Sequence, residues 1–136
     1  MNKTTFLALA ALMLAACVSS SSARFNGVHY DARPKDWPID IYLPRTAPAS
    51  VLKAAEDYKP SNEIPAGVIQ IGKVDVSGAP AAAWSSTLRS AQYRARQIGG
   101  DAVALQAIAR PLSAVSSGML LYAKTLSFTV LRYEKR

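Results

Sequence analysis

Between Pro38 and Pro44 the run Ile39-Asp40-Ile41-Tyr42-Leu43 alternates apolar and polar positions, the pattern of a short half-buried strand. The segment Thr46 to Pro65 is interrupted by Pro48, Pro60 and Pro65 and reads as loop, with one or two helical turns over Ser50 to Glu56. Val68 to Val76 is a longer strand in which Ile69 and Ile71 share one parity and Val74 and Val76 the other. A bulge at Gly72-Lys73 would return both pairs to one face, and a central strand apolar on both faces would also fit.

Ala81 to Ile98 carries the clearest helical pattern. Trp84, Leu88, Ala91, Ala95 and Ile98 recur at i, i+4, i+7, i+11 and i+14, which places them within an arc of roughly 80°. Pro80 suits the first turn of that helix and Gly99-Gly100 its end. A strand follows from Asp101 to Ala109, then a turn region from Arg110 to Gly118 with Pro111 inside it. Leu120, Tyr122, Leu126, Phe128 and Val130 recur at even spacing and predict a long last strand ending near Tyr133. The order β-loop-β-α-β-β predicts an α+β fold, one main helix on a mostly four-stranded mixed sheet. The β-α-β unit calls for parallel strands, and the last strand can return antiparallel.

The N-terminus has a different character. Met1-Asn2-Lys3 is a short basic start, and the apolar run from Phe6 to Ala16 spans 11 residues, where a membrane-crossing helix needs about 20. A basic start, a short apolar run and small residues at its end make a secretory signal. Leu14-Ala15-Ala16-Cys17 resembles the lipobox of bacterial lipoproteins. That resemblance implies cleavage before Cys17, a thioether-linked diacylglycerol on its sulfur and an acyl chain on its nitrogen. Val18 and Ser19 follow the cysteine, and the lipoprotein resemblance implies the outer membrane where no Asp stands there. The expected organisation is a signal peptide over 1–16, a lipidated flexible tether over 17–37 and a single small domain over 38–136. Ser19 to Ser22 and the scattered charges after them support the tether reading. About twenty flexible residues would span roughly 25 Å.

Charge and composition then narrow the function. The chain has 136 residues, 16 Lys and Arg against 9 Asp and Glu, half of its residues apolar, one Cys and one His. One domain is the limit at that length. A single Cys leaves no internal disulfide, and one Cys with one His leaves no metal cage; no cofactor is expected. The net charge is +7, and removal of the signal with Lys3 would leave 15 − 9 = +6; outside the cytoplasm that charge points to lipid headgroups, anionic envelope polymers or acidic proteins, and not to nucleic acid.

A second likeness lies in the domain. Ile71-Gly72-Lys73-Val74, the Ala- and Arg-bearing helix, and Ile98-Gly99-Gly100-Asp101-Ala102-Val103 resemble the YbjQ-like group and the related Rcs stress-sensor lipoproteins over residues 66–109. Their pattern has Ala where Gly100 stands. Physically the glycine pair ends the helix, and Asp101 can bond turn amides. The Rcs likeness would imply paired disulfides, yet no Cys follows Cys17. The YbjQ-like group is labelled heavy-metal binding, yet soft ligands are missing here. The resemblance therefore carries fold and no site residue.

Catalytic constellations are poorly supported. A hydrolase triad would need His29, which lies beside Tyr30 and Asp31 in the expected tether, and no Gly-x-Ser-x-Gly elbow occurs. Glu56-Asp57 sit in a Pro-flanked loop, and Gly99-Gly100 closes a helix where a phosphate loop would open one. The best surface feature is the outer helix face, where Arg89, Tyr93 and Arg96 fall at i, i+4 and i+7 with Arg94 on the flank. Arginine forks and an aromatic ring can grip a carboxylate, a phosphate or an acidic protein. Tyr30, Trp37 and Tyr42 are expected to close the core. The expected function is a non-enzymatic, periplasm-facing binding or sensing lipoprotein. An accessory structural lipoprotein and a wall- or lipid-turnover enzyme are the alternatives.

Overall fold

In a computed structural model, residues 17–116 and 118–134 are described. The expected signal peptide and Leu14, Ala15 and Ala16 of the lipobox lie outside them. The strands are β1 (Val18–Arg24), β2 (Asp40–Leu43), β3 (Lys59–Pro60), β4 (Ile69–Gly78), β5 (Ala102–Ala109), β6 (Leu112–Ser116), β7 (Met119–Tyr122) and β8 (Lys124–Arg132). Two α-helices, α1 (Ala49–Ala55) and α2 (Trp84–Gln97), and a short 3-10 turn over Ser61–Glu63 complete the elements.

Six strands form one mixed sheet in the order β1-β4-β8-β5-β2-β3, so the α+β class holds but the sheet is wider than four strands. β8 lies between β4 and β5 and runs antiparallel to both. β4 and β5, joined through α2, are therefore parallel without being neighbours. β2 joins β5 in parallel, and β3 joins β2 in parallel over two residues. The two extra strands are β3 and β1, both at edges of the sheet.

β1 takes up the first third of the expected tether. Each residue from Val18 to Arg24 is in register with β4, from Val18 opposite Gly78 to Arg24 opposite Gly72. Its Ser run satisfies backbone groups along the ladder, and Ser20 reaches α2: Arg94 Nε donates to Ser20 Oγ at 3.0 Å and Ser90 Oγ donates to it at 2.8 Å. Gly72 permits the pairing, because a Cβ there would lie 2.4 Å from the carbonyl oxygen of Ala23. The rest of the expected tether is strapped over the C-terminus of α2. Arg33 N donates to Arg96 O at 2.8 Å, and Arg132 stacks its guanidinium 4.1 Å from the Tyr30 ring centre.

α2 follows the predicted stripe, with Leu88, Ala91, Ala95 and Ile98 buried against the sheet and Trp84 half-buried. It starts at Trp84, later than expected, since Ala79 to Ala82 forms a turn closed by Ala82 N on Ala79 O. Its end is as predicted: Gly99 takes φ +88°, and Gly100 N donates to Ala95 O at 2.8 Å. Ile71, Val74 and Val76 of β4 with Leu126, Phe128 and Val130 of β8 face the helix, and Ile41, Leu43 and Val51 extend this core. Full burial of each such side chain stabilises by about 1.5–3 kcal/mol. The irregularity in β4 is a bulge, with the register shifting between Gln70 and Gly72, one residue before the expected place.

A smaller cluster of Tyr42, Ala102, Ala104 and Leu131 forms on the opposite face, covered by Ile64, Val68 and Tyr133. The region expected as a turn, Arg110 to Gly118, holds β6 instead. β6 and β7 make an antiparallel hairpin that continues β5 and β8 beyond the main sheet, held at its root by Ala123 N on Pro111 O at 2.9 Å.

Candidate functional site

The sheet has two chemically distinct ends. At one end, Val18, Gly78 and Lys124 lie in one row across β1, β4 and β8, next to the pair Thr125–Ala109. Cys17 comes immediately before that row and is exposed. Its carbonyl oxygen accepts the Ala79 amide at 2.9 Å, so its backbone is fixed to the fold with no spacer. Lys124 closes the same end, donating from Nζ to the carbonyl oxygens of Pro80 and Ala82, each at 2.7 Å, with Nζ 5.7 Å from the Trp84 ring centre. Burial, and behind it the charge of Arg110, lowers the Lys124 pKa from the ordinary lysine value.

The expected partner face is divided by the structure. Tyr93 is 54% exposed, and Arg89 beside it is exposed with one long contact, Nη2 to Ser86 Oγ at 3.5 Å. Arg96 turns away, donating from Nε to the carbonyl oxygen of Trp37 at 2.6 Å. Arg94 is committed to Ser20 and to Gln97 Oε1. A grip on an anion is therefore left to Arg89 and Tyr93, while the other two arginines fasten β1 and the 25–39 segment to the helix.

At the other end of the sheet the sequence reading missed a linked group of side chains. Tyr133 Oη donates to Asp40 Oδ2 at 2.6 Å and lies 2.8 Å from Tyr42 Oη; with its proton directed to Asp40, it accepts from Tyr42. Lys59 Nζ donates to the same Asp40 oxygen at 3.3 Å. Burial first, then the hydrogen bonds to Asp40 and Tyr42, raise the Tyr133 pKa well above the ordinary tyrosine value. The hydroxyl therefore stays protonated and acts as a donor. Tyr42, Lys59 and Tyr133 of this group edge a depression of about 470 Å³ lined also by Pro65, Gly67, Val68 and Glu134. The linked side chains lie up to 93 positions apart, and no local spacing marks them.

Asp101 was expected to bond nearby amides. It is fully buried and reaches further, accepting from Trp37 Nε1 at 2.8 Å and Tyr133 N at 3.0 Å and pairing with Arg33 at 3.1 Å. Trp37 and Tyr30 pack on the main core as expected, and Tyr42 is buried in the smaller cluster. His29 is exposed, and Glu56 caps the end of α1 with φ 51°. Among the described residues no group of three or more His, Cys, Asp or Glu could hold a metal ion, and no helix is long and apolar enough to cross a membrane. The chain matches no family model, and no curated protein and no solved structure is significantly similar to it.

Proposed function

We propose that this chain is a non-enzymatic lipoprotein of the cell envelope, held in the outer membrane by an acylated Cys17 and presenting its domain to the periplasm as a binding or sensing module. The observation that carries this reading is the position of Cys17. It follows Leu14-Ala15-Ala16 in the sequence, and it is exposed at the start of an edge strand. Acyl chains on its sulfur and nitrogen would therefore displace nothing from the core. Two or more long chains give stable attachment where one does not.

The binding reading rests on Arg89 and Tyr93, a cation and a ring suited to an anionic envelope component or an acidic protein. The accessory structural reading is favoured by the use of Arg94 and Arg96 inside the fold. The test of the anchor is incorporation of labelled palmitate and membrane fractionation in cells. Cys17→Ala is expected to abolish both incorporation and membrane retention, and retention without acylation would overturn the reading. Photo-crosslinking from position 93, with position 134 as control, separates the two forms. A discrete product from position 93 alone supports binding, and no product moves the assignment to the structural form.

A further inference from the structure

The hairpin of β6 and β7 carries large apolar side chains that the other described residues leave largely uncovered. Leu112, Val115, Met119 and Leu120 are each more than half exposed, and Tyr122 is 38% exposed. The pairing gathers most of them on one side. Leu112 lies opposite Tyr122 and Val115 opposite Leu120, and a register shift between Leu112 and Ala114 brings the two pairs to the same face. This face continues the side of β8 on which Leu126, Phe128 and Val130 pack under α2. The helix does not reach it: the turn before Trp84 stops at Lys124, which is bonded to Pro80 and Ala82. The apolar surface therefore runs on past its cover.

Three further observations choose what meets this surface. The hairpin leaves the sheet at the same end as Cys17, across the row Val18, Gly78 and Lys124. Cys17 is bonded directly to Ala79, so lipid attached there would hold that end against a leaflet with no slack for the domain to swing away. No acidic residue occurs from Ala102 to Tyr133. Arg110, exposed at the hairpin root, sits 6.0 Å from the Tyr122 ring centre, pairing a cation with an aromatic ring where headgroups would be. The arm has no acid of its own to pair with Arg110, and lipid phosphates would answer that charge directly.

We propose that the β6–β7 hairpin is a lipid-facing arm that lies in the headgroup–acyl boundary of the leaflet carrying the Cys17 lipid. This rests on the reading of Cys17 as acylated. The arm's depth follows from its backbone. A two-stranded ribbon has two open edges of N–H and C=O groups, and open edges are not tolerated in the hydrocarbon core. The arm therefore lies along the interface, its apolar side chains entering about 5–10 Å into the headgroup–acyl boundary. Together with the lipid it fixes the orientation of the domain, directing the depression beside Tyr133 away from the membrane.

The test uses the full mature protein purified from membranes, with Met119→Cys carrying an environment-sensitive NBD fluorophore, in vesicles of phosphatidylethanolamine and phosphatidylglycerol. Asn26→Cys, at the far end of β1, is the control. Acylation blocks the thiol of Cys17, and the mass of the N-terminal peptide reports it independently. The expected result is a severalfold gain and blue shift of NBD emission at position 119 and none at position 26. Lipids brominated near the headgroup should quench it more strongly than lipids brominated near the chain end. Val115→Ser with Leu120→Ser, both at exposed positions, should remove most of the gain while leaving the far-UV spectrum and thermal melt unchanged. An acylated protein with no response at position 119 overturns the arm and leaves the anchor standing. A response that appears without vesicles and grows with protein concentration overturns it in favour of self-association. A free thiol at Cys17 overturns the anchor and the arm together.

Discussion

Trp37 donates its indole N–H to Asp101 Oδ1 at 2.8 Å, joining residues 64 positions apart. Arg33 adds an ion pair to the same carboxylate, and Tyr133 N donates to its other oxygen. One buried acid thus holds the segment before β2, the end of α2 and the end of β8 together. Removing one partner of such a pair leaves the other charge unanswered, which costs about 3–5 kcal/mol for buried pairs. The Arg33 side chain is 19% exposed, so the lower figure applies. Asp101→Asn is expected to lower stability by about 3 kcal/mol, read as a drop in the urea midpoint with an unchanged m-value.

Tyr133 gives a pH signature. Its pKa in the folded protein is raised, so above about pH 10 the unfolded chain ionises this hydroxyl while the folded chain keeps its proton. The folded state then binds more protons than the unfolded state, and stability falls as pH rises. Its contribution is complete below about pH 10 and declines above it. Other tyrosines titrate in the same range, so the measure is the difference from Tyr133→Phe. The wild type is expected to lose stability between pH 9.5 and 11, roughly, more steeply than the variant. Parallel curves would place the Tyr133 hydroxyl outside the network.

Gly100 packs its Cα against β8. A Cβ there would lie 2.4 Å from Val130 Cγ1 and 3.1 Å from the carbonyl oxygen of Ala95. Val130 is fully buried and, being β-branched, cannot rotate freely aside. Gly100→Ala is expected to cost about 1–3 kcal/mol by overpacking. Val130→Ala should make room for the new methyl, so the double variant should be less destabilised than the sum of the two single changes. Thermal or urea unfolding of all four proteins closes this cycle.

The arginines of α2 separate by role. Arg96 Nε bonds to Trp37 O at 2.6 Å, so Arg96→Ala is expected to cost about 1.5 kcal/mol, the lower end for a charge-assisted bond. Arg89→Glu changes an exposed side chain and should shift stability by no more than about 0.5 kcal/mol. If the helix face binds an anionic partner, only Arg89→Glu should weaken capture without moving the melting temperature.

The sequence was legible where burial has a period. The stripe from Trp84 to Ile98 located α2, and the even spacing of Leu126, Phe128 and Val130 located β8, because apolar side chains on one covered face repeat with the geometry of the element. β1 was not legible for the same reason. Val18, Ser20 and Ser22 are partly covered while Ser19 and Ser21 are open, but a serine under a helix and a serine in water are written with the same letter. β6 was hidden between Pro111 and Gly118, which mark a loop unless the pairing partner is known. The group of Asp40, Lys59, Tyr42 and Tyr133, and the reach of Asp101 to Trp37, depend on which distant strands become neighbours. That is decided by topology and leaves no spacing along the chain.

The placement of β8 also bears on when the chain can fold. It is the last strand in sequence, yet it pairs with β4 on one side and β5 on the other. A chain emerging from its N-terminus has every other strand of the main sheet available before this one, and no continuous sheet to build from them. Val74 and Val76 must wait for Leu126 and Phe128. Folding is thus dominated by contacts distant in sequence and completes only once residues near Arg132 are free. If the chain is exported unfolded, as the proposed function requires, this order of strands delays closure until its last strand is free.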